Sequence, residues 1–253
     1  MKKREVLYII ILIFLIALMD ITGIPSVFFV NIKIGDIEPF YFVLMVNFVI
    51  IGIVAFIYLK YLCPKWKLGF TKTGLLEGLK KYGIIGIVIS LVGLIAFYVG
   101  LLPFDSHPSI AKVLVEGVIY YVGVAIIDEL YVRGLLLNLI DNIFKRNKNS
   151  TVIAVILSAV IFGLGHIFGV LNQPALVIIS KVVWTIGMGI FLGMIYKKTN
   201  NLWLPIIMHF FINVCALPYF FSSVKGYPSL TLYIIVPAYI ILGIYSLTKL
   251  KKI

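Results

Sequence analysis

Charge is what this sequence has least of. Only 13% of its residues are Asp, Glu, Lys or Arg, about half the share of a soluble globular chain. Acids are the scarcer sign, 10 against 22 Lys and Arg, and there are 3 histidines. So little charge leaves no room for a separate soluble domain. Cysteine is nearly absent as well. Cys63 and Cys215 lie far apart with no CxxC spacing, which excludes a disulfide framework and a cysteine-based zinc motif and reads both as apolar filler. There is no HExxH, no low-complexity tail and no long internal repeat. Repeated halves with paired broken helices, the mark of many transporters, are missing too. Short alternating segments are not seen, which excludes a membrane barrel.

What remains is apolar: 62% of residues are hydrophobic. A helix needs about 20 apolar residues to cross a bilayer, and eight segments qualify, roughly 6–30, 40–62, 82–103, 113–141, 151–169, 175–196, 202–221 and 229–248. The expected fold is an all-α polytopic membrane helix bundle in the cell membrane. It forms a single transmembrane domain over 1–253, with its motif-bearing core at about 113–221. The apolar run after MKKREV continues without a cleavage site, so it reads as an uncleaved first span and not a signal peptide.

The net charge of +12 does not point to nucleic acid, because the charges sit at the ends of apolar segments, where they set orientation. With the N-terminus inside, most basic residues are cytoplasmic: Lys2 to Arg4, Lys60 to Lys81, Lys145 to Lys148, Lys197 and Lys198, and Lys249 to Lys252. The other side keeps Lys33, Lys112 and Lys225, with Lys181 near a helix end. Both termini are therefore expected inside. The loop 63–81, CPKWKLGFTKTGLLEGLKK, reads either as an amphipathic helix on the anionic inner leaflet or as a solvated connector.

Ionisable groups inside membrane helices are costly and survive where they pair or work. The short list is Asp128, Glu129, Arg133, His166, His209 and Asn213, with Asn47 and Asp20 as further candidates. At about 1.5 Å rise per residue, Asp128, His166, His209 and Asn213 all fall at roughly 12 to 20 Å depth. Glu129 and Arg133 are four apart with the acid first, the favourable order for an ion pair, while Asp128 projects about 100° away. Asp128 and His166 could then activate a water as general base, and His209 and Asn213, on one helix face, could donate to an oxyanion. That is a hydrolytic site for an acyl bond, a peptide above all. The structural alternative is that the histidines bond helix to helix and the charges form only an ion pair. His107, beside Asp105 in PFDSHPS, reads as a solvated loop residue. Gly165 with Gly169, and Gly189 with Gly193, have the spacing of close helix packing.

Three motifs in this order are familiar together. DELYVRG at 128–134 resembles EExxxR, FGLGH at 162–166 resembles FxxxH, and HFFIN at 209–213 resembles HxxxN. The set resembles the CPBP intramembrane proteases, also called the Abi or CAAX-protease family, related to the eukaryotic Ras-converting endopeptidase. The resemblance covers 128–213 and implies a multi-helix protease with its site inside the membrane. It implies that Asp128 stands at the first motif glutamate, the water activator, with Glu129 second and Arg133 the motif arginine. His166 would share the water, and His209 and Asn213 would form the oxyanion site. Asp128 departs from the usual Glu, so its carboxylate sits closer to its own backbone. Either the helices are packed to suit Asp, or Glu129 takes the role, or catalysis is lost. The resemblance implies no cofactor; a zinc variant would use His166, His209 and Asp128. The implied partners are membrane lipid and a peptide or membrane-protein substrate, with oligomeric state open. A non-catalytic scaffold or sensor, or a proton-coupled transporter using the same buried groups, are the competing readings.

Overall fold

A computed structural model describes residues 3–22, 34–102, 108–222 and 227–250. Lys2, Lys33, Asp105, His107, Lys225, Lys251 and Lys252 lie outside the described residues, as does the side chain of Asp20. The described chain is helical throughout apart from its connections and one isolated bridge between Ile34 and Ile37. The helices are α1 (Lys3–Thr22), α2 (Pro39–Leu62), α3 (Leu75–Gly100), α4 (Ile110–Ile143), α5 (Ser150–Val170), α6 (Ala175–Thr199), α7 (Trp203–Val214), α8 (Leu217–Phe220) and α9 (Ser229–Leu250). This is a polytopic membrane helix bundle.

Six of the described helices, α2 to α6 and α9, are long and apolar enough to cross a membrane. Of the other two expected segments, 6–30 is described as helix only as far as Thr22. The segment 202–221 differs from expectation: it breaks into α7 and the short α8. Pro218, in the first turn of α8, has no N–H to continue a helix but needs none at a helix start. The 12 residues of α7 extend about 18 Å, well short of a bilayer core of about 30 Å. Helix α3 begins at Leu75 and not at 82, so Lys80 and Lys81 belong to its first turns.

The loop 63–81 is neither a surface helix nor a free connector. Residues 75–81 are helical, and 63–74 form a strap held in the fold. The Trp66 indole N–H donates to the Gly134 carbonyl at 2.9 Å. Tyr196 donates its hydroxyl to the Leu68 carbonyl at 3.2 Å, and the Leu202 amide donates to the Gly69 carbonyl. The buried Asn201 amide donates to the carbonyls of Thr71 and Thr73. The strap follows this path because Gly69 and Gly74 have φ of +85° and +75°, where a Cβ is strained. At Gly69 a Cβ would also meet the Asn200 carbonyl.

Helix α6 is the centre of the bundle. Its most apolar window is 56% buried, against at most 39% for the other long helices, and it packs on α5 and α9. Its glycines permit the approach: Gly189 lies against Ala159 and Gly193 against Val155, both on α5, and Gly187 lies against the backbone of Tyr239 on α9. The Gly165 and Gly169 pair does not behave this way. Nothing stands within 4 Å of where their Cβ atoms would be, because the α-helix ends at Gly165 and the chain turns into a 3-10 segment over His166–Val170. Gly187→Ala is therefore expected to destabilise by about 1–3 kcal/mol or more, since the new methyl meets a backbone that cannot rotate aside. Gly165→Ala serves as the neutral control. Thermal unfolding in detergent measures the difference, and equal midpoints would show that α6 and α9 part freely.

At the end opposite the basic loops, Asp36 ties the α1–α2 connection to the start of α4. Its carboxylate accepts from the Ser109 hydroxyl at 2.6 Å and the Ser109 amide at 3.1 Å, and these bonds hold it below the usual carboxylate range. Asn47, one of the polar candidates, is fully buried and donates to the Met19 carbonyl at 3.2 Å. It joins α2 to α1, away from the other polar groups.

Candidate active site

The site is organised by an irregular helix. α4 is α-helical over Tyr120–Glu129 and π-helical over Leu130–Leu137. Such wide turns are rare and concentrate at functional sites. The wide turn is supported from outside: the Gly134 carbonyl accepts both the Trp66 indole N–H and the Asn138 side-chain amide. Asp128 and Glu129 are the last residues before the change of pitch, and they diverge.

Glu129 points inward and is fully buried. Its Oε1 accepts from Arg133 Nη1 at 2.8 Å and from His209 Nδ1 at 2.8 Å. Arg133 is also fully buried; its Nη2 donates to the Gly189 carbonyl at 3.2 Å, and its guanidinium lies 4.8 Å from the Phe162 ring centroid. One cation thus joins α4, α5 and α6. Glycine at 189 suits this contact, since a side chain there would meet Ala159. Two charges out of water are tolerable only because each is paired and hydrogen-bonded.

Asp128 turns the other way, with 25% of its side chain exposed, into a cavity of about 300 Å³. His166, His209 and Asn213 line the same cavity. Three helices therefore bring these four motif side chains together, while Glu129 and Arg133 lie behind the wall. The remaining lining is largely aromatic and includes Tyr121, Trp184, Tyr219, Tyr227 and Tyr239. A smaller hollow beside Trp66 and Asn138 carries none of the motif side chains.

The proton positions on both histidines follow from what stands behind them. His166 Nδ1 is 2.9 Å from the Phe162 carbonyl, which only accepts, so Nδ1 carries the proton. His209 Nδ1 faces the Glu129 carboxylate, paired with Arg133 and likewise an acceptor. In both rings Nε2 is then the nitrogen left for the cavity. For His209 that atom lies 3.8 Å from Asp128 Oδ2, too far for a direct bond but close enough to share a water. Phe162 separates the rings, edge-on to His166 at 4.5 Å and to His209 at 5.9 Å between centroids.

One lining residue was placed elsewhere by the sequence. By sequence Lys181 lies near a helix end, yet its side chain joins the cavity wall, its Nζ 5.0 Å from the Trp184 ring centroid and 5.9 Å from that of Tyr227. The available signal was a lysine within the apolar run ALVIISKVVW. As for metals, no group of three or more His, Cys, Asp or Glu is placed to hold an ion among the described residues.

A family model described as type II CAAX prenyl endopeptidase Rce1-like matches residues 110–215. No curated protein matches the chain. The matched segment runs from the start of α4 to the end of α7. It therefore contains every motif side chain of the cavity and the Glu129–Arg133 pair behind it, and it is with the Rce1-like CAAX proteases, the CPBP family, that this segment aligns.

Proposed function

We propose that this chain is an intramembrane endopeptidase that hydrolyses a peptide bond of a membrane-associated or peptide substrate. The observation that carries this reading is the arrival of Asp128, His166, His209 and Asn213 in one cavity. Asp128 is the carboxylate that reaches the cavity, so it is the general base for water, with His166 Nε2 holding the same water. Glu129 is a positioning residue: it fixes the His209 ring and keeps Arg133 paired. The water oxygen attacks the scissile carbonyl carbon while its proton passes to Asp128. The carbonyl electron pair becomes an oxyanion, to which the Asn213 amide donates. Collapse breaks the C–N bond as Asp128 returns the proton to the leaving amine. Asp128 in place of Glu is read as a site packed for the shorter acid.

The test is cleavage of a quenched peptide library by purified protein in detergent. Wild type is expected to cleave, with or without chelator, and His166→Ala to lose about 10²-fold or more in rate, as for a general acid–base partner. Loss of cleavage on chelation, with metal found in the purified protein, would replace this mechanism by the zinc variant. A folded wild type that cleaves nothing, including membrane-anchored peptides, would favour the scaffold reading.

A further inference from the structure

The cavity lining includes neutral groups able to donate, the Asn213 amide, the Trp184 indole and four tyrosine hydroxyls, but among the described lining residues it has one cationic side chain, Lys181. Asp128 accepts only. Both histidines turn Nε2 to the cavity, because their Nδ1 protons are held by Phe162 and Glu129. Thr185 also lines the cavity, but its hydroxyl donates back to the Lys181 and Val182 carbonyls. The Arg133 guanidinium is turned away toward Glu129 and Gly189. Among the described lining residues, Lys181 is the one positive side chain that a tetrahedral oxyanion formed beside Asn213 could meet.

We propose that Lys181 is a further catalytic residue, whose ammonium donates to the oxyanion alongside Asn213. The inference rests on the endopeptidase reading above. Three observations carry it. Lys181 lines the same cavity as Asp128, His166, His209 and Asn213. The acid that faces it is Asp128, whose carboxylate acts on it electrostatically. Its ammonium is held over Trp184 and Tyr227. Aromatic faces fix a cation by its charge and leave its N–H bonds for an anion. A cation in a membrane-spanning segment is costly; a negative charge developing beside it is the condition under which it is most useful. When the water attacks, negative charge moves from the Asp128 carboxylate, which takes the proton, to the carbonyl oxygen. Lys181 then faces that oxyanion, and the charge returns to Asp128 on collapse. Lys181 neither gains nor loses a proton in the cycle.

The experiment is steady-state cleavage of the best library peptide by full-length Lys181→Met, Lys181→Arg and Lys181→Cys, each compared with wild type and each checked as monodisperse in detergent. Removing one oxyanion donor costs about 10²–10³ in kcat, so Lys181→Met is expected to show that loss with KM little changed. Aminoethylation of Lys181→Cys, in a background lacking Cys63 and Cys215, rebuilds an ammonium at nearly the native reach and is expected to restore turnover. Two results would overturn the proposal: Lys181→Met with kcat within about threefold of wild type, or a rise in KM at constant kcat, which would make the cation a ground-state substrate anchor. Should Lys181→Met not fold, the aminoethylated and unmodified Cys variants decide on the same criterion. If wild type itself cleaves nothing, the endopeptidase reading fails first.

Discussion

Asp128→Asn lowers kcat by about 10³-fold, within the range for loss of a general base, and leaves the unfolding midpoint nearly unchanged. The two side chains have the same shape, and the Asp128 carboxylate lies in the cavity, not within the buried ion pair. Steady-state cleavage and thermal unfolding of the same preparation check both halves. Asp128→Glu restores the residue usual in the family motif, yet it is expected to be slower than wild type. It advances the carboxylate by roughly one bond, and a misplacement of about 1 Å costs up to 100-fold. A faster Asp128→Glu would show that α4 and α5 are not adjusted to the shorter acid. Were Asp128→Asn to keep its kcat while Glu129→Gln lost it with an unaltered midpoint, the base would be Glu129.

Glu129→Ala is expected to cost about 3–5 kcal/mol of stability, because it leaves the Arg133 charge buried without its partner. Both side chains are fully buried and 2.8 Å apart, so neither solvent nor the screening that weakens surface pairs relieves the loss. Arg133→Met falls in the same range for the converse reason. The paired replacement Glu129→Leu with Arg133→Met removes both charges, and buried pairs replaced by apolar groups of similar volume are often neutral; its unfolding midpoint returns close to wild type. Activity does not return, since His209 Nδ1 has lost its acceptor and the ring is free to rotate. Stability recovered without turnover separates holding the bundle together from orienting the histidine. Single variants that unfold like wild type would remove the structural role assigned to the pair.

The parts of this site that were legible in the sequence are those with local causes. Glu129 and Arg133 are four apart on one helix, so their ion pair follows from helix geometry even though the backbone there widens to a π-helix. The divergence of Asp128 from Glu129 follows from the rotation per residue. The close approach of Gly189 and Gly193 to α5 follows from spacing on an uninterrupted helix, whereas the same spacing at Gly165 and Gly169 fails because the helix ends between them. The Trp66 strap was opaque, since its partner Gly134 is 68 residues away and the glycines that bend it act through φ, not hydropathy.

By itself the sequence determined an all-helical membrane bundle, because unpaired backbone in lipid admits little else. It also determined which few polar groups had to be explained, because each is expensive in that setting. Only the tertiary structure decided which carboxylate meets the cavity, that His209 bridges toward both acids, that the seventh segment breaks before Pro218, and that Lys181 turns inward. Hydropathy sums over a window and cannot say which way a side chain faces. That direction is set by neighbours distant in the chain, such as the Glu129 and His209 contact across 80 residues.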